Sequence, residues 1–168
     1  MNNNQAPHPR MGAWLGVVKT YALCERLLTQ RLAPLGLSLP RNDVLLNVVR
    51  DPGVGQQDLA RRLLVARSNI SMLVTELERQ GLLERRPHPT DLRARQLFPT
   101  EAGRSIAVDA EQVLAGVVGV MLDQFSDEQI DLCAGMMGNI QGSLRQQLKE
   151  MAAGQGHQAR PEGPARPS

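Results

Sequence analysis

The fold is decided by residues 56–103, which read QQDLARRLLVARSNISMLVTELERQGLLERRPHPTDLRARQLFPTEAG. Apolar residues recur there at three- and four-residue steps, which predicts a short helix over about Gln56 to Leu63 and a longer one over Arg67 to Gln80. The period then changes to that of a strand, and we predict a hairpin of Leu82–Arg86 with Gln96–Phe98 around a polar, proline-rich tip. Two helices followed by a basic hairpin predict a winged helix-turn-helix.

The flanking segments are predicted to be helical. Apolar periodicity indicates a first helix from about Met11 to Leu32, a second from Pro40 to Arg50, a fifth from about Glu101 to Gln124 and a sixth that begins near Ser126. Thr100 before the fifth helix and the Ser-x-x-Gln sequence before the sixth are typical capping residues. The predicted fold is mainly α: a winged helix-turn-helix with long N- and C-terminal dimerisation helices and one β-hairpin wing.

We expect four parts along the chain. Residues 1–10 and 151–168 hold little apolar side chain and much Asn, Gln, Pro or Gly, which predicts two disordered tails. Residues 37–104 are predicted to form the winged helix-turn-helix domain. Residues 11–36 and 105–150 are predicted to form a helical dimerisation region.

Dimerisation is expected because these helices have more apolar surface than a small winged domain can cover. From Val113 to Leu122 the fifth helix is apolar almost all round, with Gly116 and Gly119 open to close approach by a neighbour. A helix that is apolar on all sides must be buried on all sides. The sequence therefore predicts a homodimer, with a monomeric helical bundle as the alternative.

Composition indicates a soluble, globular protein, because 42% of the 168 residues are hydrophobic and 21% are charged. The longest apolar run is half of the ~20 residues that a membrane-spanning helix needs, and no secretory signal is recognisable. Two cysteines far apart, Cys24 and Cys133, are expected to be reduced thiols. We therefore expect a cytoplasmic protein without a membrane partner.

Charge is unevenly distributed along the chain. Residues 56–104 carry nine Lys or Arg against six Asp or Glu, whereas residues 105–150 carry two against seven. Seventeen of the nineteen basic residues are arginine, whose planar fork suits phosphates and guanine edges. The basic part therefore coincides with the predicted winged domain, and the acidic part with the predicted dimerisation region.

The predicted winged domain has the side chains that reading DNA requires. A helix fits the major groove when its outward side chains offer hydrogen bonds, and an arginine on a finger can enter the narrow minor groove. We expect Asp91 to support Arg93 or to cap the turn at the tip. The expected DNA contacts are Arg67, Ser68, Asn69, Ser71, Met72 and Thr75 on the second helix of the motif, and Arg85, Arg86, Asp91, Arg93 and Arg95 on the wing.

Residues 91–103, DLRARQLFPTEAG, have the form D-x-R-x-R-x-L-x-x-T-x-x-G. This stretch resembles the wing-to-helix signature of the multiple-antibiotic-resistance regulator (MarR) family, and the resemblance extends over about Leu37 to Arg104. It departs from the family at Ala66, where a Ser or Thr cap is usual, and at Pro99, where Leu is usual.

The resemblance implies a transcription regulator, by family default a repressor, that binds a pseudo-palindromic operator in double-stranded DNA as a homodimer whose terminal helices interlock. Arg93 stands at the family's minor-groove arginine and Asp91 at its partner acid. Members commonly release DNA when a small phenolic or other aromatic acid binds, or when a cysteine is oxidised. Trp14, Tyr21 and Cys24 are the candidate residues for such a ligand pocket.

Three other functions remain as hypotheses: a redox sensor that uses Cys24 and Cys133, a winged-helix module that binds protein instead of DNA, and an enzyme. The thiols are expected to be small buried residues. The spacing of His, Cys, Asp and Glu does not resemble a metal site, and no catalytic motif is recognisable. We therefore predict no cofactor, no metal and no enzymatic activity.

Overall fold

A computed structural model describes residues 8–90 and 94–158, with side chains up to residue 153. The predicted wing residues Asp91 and Arg93 lie outside the described residues, as do residues 1–7 and 159–168 of the predicted tails. The chain forms two compact units, Met1–Val120 and Met121–Ser168.

The first unit begins with helix α1, Pro9–Leu32, which continues into a short 3-10 turn at Ala33–Leu35. Gly36 ends this turn in the left-handed conformation, with φ of 71°. Helix α1 begins two residues before the predicted start, inside the predicted tail, because proline is well suited to a first helical position. Helix α2 follows at Leu39–Arg50.

The helix-turn-helix consists of α3, Gln56–Arg62, and α4, Arg67–Arg79. The predicted helices differ from these by one residue each, at their C-terminal ends. In the turn between them Leu64 adopts a positive φ of 55°, a conformation that favours glycine, and its side chain is 88% exposed. The turn orients α4 with Ile70, Val74 and Leu77 buried.

The wing is the predicted antiparallel hairpin. Strand β1, Leu83–Pro87, pairs with β2, Arg95–Pro99, in a register that sets Arg85 opposite Leu97. The other edge of β2 is also paired, because the Gly53 N–H donates to the Leu97 carbonyl (2.7 Å) and the Leu97 N–H donates to the Val54 carbonyl (3.1 Å). The turn after α2 therefore fixes the wing to the body of the domain.

Helix α5, Glu101–Leu122, is joined to the wing by the predicted cap. The Thr100 hydroxyl oxygen accepts from the Gly103 N–H (3.0 Å) and its proton is donated to the Gly81 carbonyl (2.6 Å). Gly103 lies directly against the Leu82 carbonyl, where a Cβ atom would be 2.0 Å from the oxygen. Only glycine allows this approach of helix and strand.

The core of the first unit lies between α2, α3, α4 and β2, with contributions from α1 and α5. Its largest fully buried side chains are aliphatic: Leu32, Leu45, Leu59, Ile70, Leu77, Leu97, Val44, Val48, Val74 and Val117. This distribution confirms the predicted apolar stripes of α2, α3 and α4, whereas the stripes of α1 and α6 are mostly exposed.

The second unit contains α6, Asp127–Gln158. The predicted capping box is confirmed, because the Gln129 side-chain oxygen accepts from the Ser126 N–H (3.0 Å) and the Ser126 hydroxyl accepts from the Gln129 N–H (3.4 Å). The helix continues eight residues beyond position 150, so the predicted tail begins too early. Met151, Ala152 and Ala153 favour helix, and the first proline of this segment is Pro161.

Among the described helices, α5 alone is long and apolar enough to cross a membrane, with a mean hydropathy of 1.6 over its most apolar window. A single helix of this kind is weak evidence for a membrane, because core helices of soluble proteins have the same composition. In this chain Gly103, Ala107, Ala110 and Val117 of α5 are buried in the first unit.

Candidate nucleic-acid interface

The outer face of α4 presents the six side chains that the sequence predicted. Opposite the buried stripe, they are all exposed to solvent: Arg67, Ser68, Asn69, Ser71, Met72 and Thr75. Most are short and polar, and Met72 adds a flexible apolar side chain. A shallow depression, lined by Ser68, Ser71, Met72, Thr75 and Glu76, lies along this face. The face therefore offers hydrogen bonds and apolar contact to the edge of a large groove.

The first turn of α4 is electropositive. Its N-cap, Ala66, is extended (φ −65°, ψ 144°) and its side chain accepts no hydrogen bond from the helix. The positive end of the helix dipole and the exposed Arg67 side chain lie together at this end. This arrangement attracts anions.

A cleft of about 390 Å³ opens beside this helix end, between α3, α4 and the wing. Polar and charged side chains dominate its lining, which comprises Gly53, Gly55, Gln56, Gln57, Asp58, Arg67, His88, Ala94, Arg95 and Gln96. Asp58, the acidic residue in this lining, is paired with Arg61 (3.1 Å). In the described part of the chain, Arg67 and Arg95 form no recorded hydrogen bond or ion pair. The cleft therefore has two arginines whose charges are available to an anion.

The wing strand β1 carries the two further arginines that the sequence predicted as DNA contacts. Arg86 is exposed, packs over the Phe98 ring at 4.3 Å from the centroid, and donates from Nε to Glu84 (2.9 Å). Arg85 instead is directed towards α4, where its guanidinium contacts Glu78 and the Thr75 hydroxyl. The two neighbouring arginines therefore have different surroundings.

Glu76 is an acidic side chain at the edge of the α4 face, and two arginines neutralise it. Hydrogen bonding to Arg79 (2.8 and 2.9 Å) is the main cause that keeps the pKa of Glu76 below its usual value, and Arg41 lies 3.4 Å away. The carboxylate therefore stays ionised, but its repulsion of a nearby phosphate is reduced.

Sequence reasoning missed several residues of this region. Gln56, Gln57 and His88 line the cleft, and Glu78 pairs with Arg85. The helix pattern predicted Gln56 and Gln57 at the start of α3, but nothing in the sequence indicated that the far side of the hairpin approaches them. Glu78 lies within the MarR-like stretch, and this position could have indicated a role for its carboxylate in the winged domain.

The candidate ligand-pocket residues are on α1. Trp14 and Tyr21 are 60% and 65% exposed, and Cys24 is half-buried. Trp14 and Tyr21 lie on the side of α1 that, farther along the helix, buries Leu28 and Leu32. The same side of α1 is therefore buried near its C-terminal end and exposed at these two aromatic residues in the described chain.

Both cysteines are free thiols, and Cys133 is exposed instead of buried as expected. It lies on α6, whose side chains are almost all exposed in the single chain. Within the described residues, no group of three His, Cys, Asp or Glu side chains is arranged to hold a metal ion.

Comparison with known proteins places these features in a family. Residues 35–94 match the model of the MarR family. The transcriptional regulator MhqR of Bacillus subtilis is 29% identical over 84 residues, which are 50% of this chain and 58% of that protein.

Solved structures share the fold over most of the chain. CouR from Rhodococcus jostii, bound to p-coumaroyl-CoA, is 27% identical with a TM-score of 0.68, over 82% of this chain and 95% of that one. A MepR–DNA complex from S. aureus is 19% identical with a TM-score of 0.70, over 78% of this chain and 96% of that one. The matching family model, the related regulator and the shared fold together show that residues 35–94 resemble the MarR family of transcriptional regulators and that most of the chain has the fold of that family.

Proposed function

We propose that the protein is a sequence-specific transcriptional regulator, acting as a cytoplasmic repressor, which binds a pseudo-palindromic operator as a homodimer and is released by a small ligand. One observation carries this proposal: the polar, exposed face of α4 adjoins a cleft with two arginines, Arg67 and Arg95, that form no ion pair among the described residues. A DNA duplex offers a polar groove edge beside a row of phosphates, so a single ligand satisfies both features.

In this proposal α4 lies in the major groove and a backbone phosphate enters the cleft. Arg67 and Arg95 neutralise the phosphate, and the side-chain amides of Gln56 and Gln57 donate hydrogen bonds to it. Arg93, with Asp91 as its partner, remains the proposed minor-groove contact of the wing. The MepR relative of the same fold was solved with DNA, which supports a duplex as the ligand.

The homodimer is supported in the first unit by the bare part of α1. Its apolar face buries Leu28 and Leu32, but Trp14, Val18 and Tyr21 on that face are exposed. The same argument applies separately to α6, in which six apolar side chains are more than two-fifths exposed: Leu132, Met136, Ile140, Leu144, Leu148 and Met151. Surfaces of this kind are rare in soluble monomers, and a second copy of the chain would cover them.

A small aromatic or phenolic acid is the proposed effector. Trp14, Tyr21 and Cys24 are the proposed lining of its pocket, completed when dimerisation covers α1. The CouR relative was solved with p-coumaroyl-CoA, an aromatic acyl thioester, which supports this class of ligand. Titration with phenolic acids, read by quenching of the single tryptophan, Trp14, tests the pocket directly.

The test of DNA binding is selection of bound duplexes from a random pool, followed by anisotropy titration of the recovered operator. A symmetric motif with half-sites about one turn, ~34 Å, apart is expected, with an affinity that falls steeply with salt. Recovery of no preferred duplex, or affinity independent of salt, would contradict the proposal.

Arg93→Ala should weaken operator binding by about 1–3 kcal/mol, because it removes the proposed groove contact. Arg145→Ala, which removes an equal charge from α6, is the matched control and should leave the affinity nearly unchanged. Equal affinities of the Arg93 variant and the wild type would exclude the wing tip from recognition.

Redox sensing is the second candidate, because Cys133 is an exposed thiol. Intact-mass measurement after mild peroxide, with and without reductant, distinguishes it from ligand sensing. A disulfide-linked pair of chains that loses operator affinity would support redox control.

A further inference from the structure

Arg85 is oriented inwards although it lies on the basic wing. Its Nη1 pairs with the Glu78 carboxylate of α4, and its Nη2 donates to the Thr75 hydroxyl (3.0 Å) and more weakly to the Ser71 carbonyl (3.4 Å). Only 25% of the Arg85 side chain and 26% of the Glu78 side chain are exposed. One guanidinium thus joins strand β1 to three residues of α4, which is the recognition helix in the proposed function.

The position of this pair makes it sensitive to the loss of either partner. The Arg85 Nε atom is buried and has no hydrogen-bond partner among the described residues. Arg85 also lies opposite the fully buried Leu97 in the hairpin. Because a partly buried charge loses much of its hydration, removal of one partner leaves the other poorly compensated.

The Thr75 side chain is held by the same contacts. Its hydroxyl donates to the Ser71 carbonyl (2.9 Å) and accepts from Arg85 (3.0 Å). The hydroxyl proton and one oxygen lone pair are therefore used inside the protein. Arg85 consequently fixes the rotamer of a residue on the outer face of α4.

We propose that Arg85 and Glu78 form a positioning pair, which holds the recognition helix and the wing at one mutual orientation on DNA, and that Arg85 does not itself contact DNA. This inference rests on the proposed DNA-binding function. A protein that reads one groove with a helix and another with a wing needs the angle between them fixed, because a small rotation at the base displaces the tip of the wing.

The two roles of Arg85 predict different responses to salt. A phosphate contact releases counterions, so its removal lowers the salt slope of log affinity by about one, and removal of a nearby carboxylate strengthens binding. A positioning pair does not touch a phosphate, so its removal releases no counterions. Removal of either partner then weakens binding with an unchanged slope, even though Glu78→Gln deletes a negative charge.

The experiment is a double-mutant cycle with the full-length protein and the selected operator, measured at several salt concentrations. Arg85→Gln and Glu78→Gln should each weaken binding about tenfold, equivalent to 1.4 kcal/mol, and the double variant should be no weaker than either single variant. Arg67→Gln is the control and should lower the salt slope by about one.

Circular dichroism and thermal unfolding show whether each variant is folded at the titration temperature. A merely structural role would lower Tm but leave the dissociation constant of the folded protein unchanged, and that result would overturn the proposal. It would also be overturned if Arg85→Gln lowered the salt slope while Glu78→Gln strengthened binding.

A second measurement links the pair to the wing. Arg95→Ala should cost less affinity in the Arg85→Gln background than in the wild type, because a wing that is no longer held contributes less. Additive losses would contradict a positioning role. If the wild type itself preferred no duplex, the proposed function would fail and this inference with it, whereas normal wild-type binding with additive variants would overturn the pair alone.

Discussion

Gly103 shows at the scale of one residue why the end of the MarR-like signature matters. It lies in the first turn of α5, where its missing side chain lets the helix meet the Leu82 carbonyl. The same junction includes the Thr100 hydroxyl, which bonds to Gly81 and caps the helix. The glycine therefore sets the angle between the wing and α5.

Gly103→Ala should lower the free energy of unfolding by about 3 kcal/mol or more, because the added methyl collides with backbone that cannot rotate away. Gly142→Ala is the matched control. Nothing lies within 4 Å of a Cβ at that site in α6, and the variant should be more stable by roughly 0.5–1 kcal/mol. Urea unfolding of both variants measures the difference, and a Gly103 variant as stable as the wild type would refute the steric argument.

Leu64 is a second residue at which the backbone conformation decides the outcome. Its φ of 55° is costly for a residue with a Cβ, and its exposed side chain recovers little by burial. Leu64→Gly should raise the free energy of unfolding by up to about 1 kcal/mol, the conformational gain being partly offset by the freer unfolded chain. Leu64→Ala keeps the strained backbone and should change stability little, so equal stabilities of the two variants would argue against strain.

At the scale of one element, α4 begins without a side-chain cap although its first turn adjoins the cleft. Neither α2 nor α3 has a side-chain cap hydrogen bond either, but Ser38 before α2 carries a hydroxyl that could accept one. Thr100 caps α5, whereas Ala66 before α4 offers no side-chain acceptor. The missing cap agrees with the sequence, which has Ala66 at a position where Ser or Thr is usual in the MarR family.

Ala66→Ser should stabilise the protein by about 1 kcal/mol, because the extended backbone at position 66 suits an N-cap and the serine oxygen would accept from the first turn. Ala66→Val adds bulk without an acceptor and serves as the control. Thermal unfolding measures the Tm of both variants. Equal Tm values for the serine and valine variants would mean that the serine does not cap the helix.

At the scale of the whole molecule, the described chain leaves apolar helix surface exposed in each of its units. Leu144 is near the middle of the apolar stripe of α6 and is 58% exposed. None of the described residues covers this stripe, and the proposed homodimer would bury it.

Leu144→Glu should weaken the dimer by several kcal/mol, because it buries a carboxylate in the proposed interface. Gln146→Glu adds the same charge on the face of α6 opposite Leu144 and should remain dimeric. Sedimentation equilibrium measures both. A wild type that sediments as a monomer, or a Leu144 variant that associates like the wild type, would disprove this interface.

The sequence alone determined the features that depend on neighbours a few residues apart. Helical periodicity placed α1 to α6 to within a few residues at most ends, the capping residues at Thr100 and Ser126 were recognisable, and the buried stripe of α4 predicted which residues face outwards. These features are local because helix period, capping and turn formation involve residues within about one turn of each other.

Only the tertiary structure decided what each arginine does. Arg67, Arg85 and Arg95 have the same chemistry in the sequence, yet Arg85 pairs with Glu78 whereas the other two line the cleft. Gln56 and His88, which are far apart in sequence, line the same cleft. Gly103 contacts the Leu82 carbonyl and so packs α5 against the base of the wing. The role of a charged side chain depends on which groups the folded chain brings within a few ångströms of it, and that distance is set by packing between elements instead of by residue type.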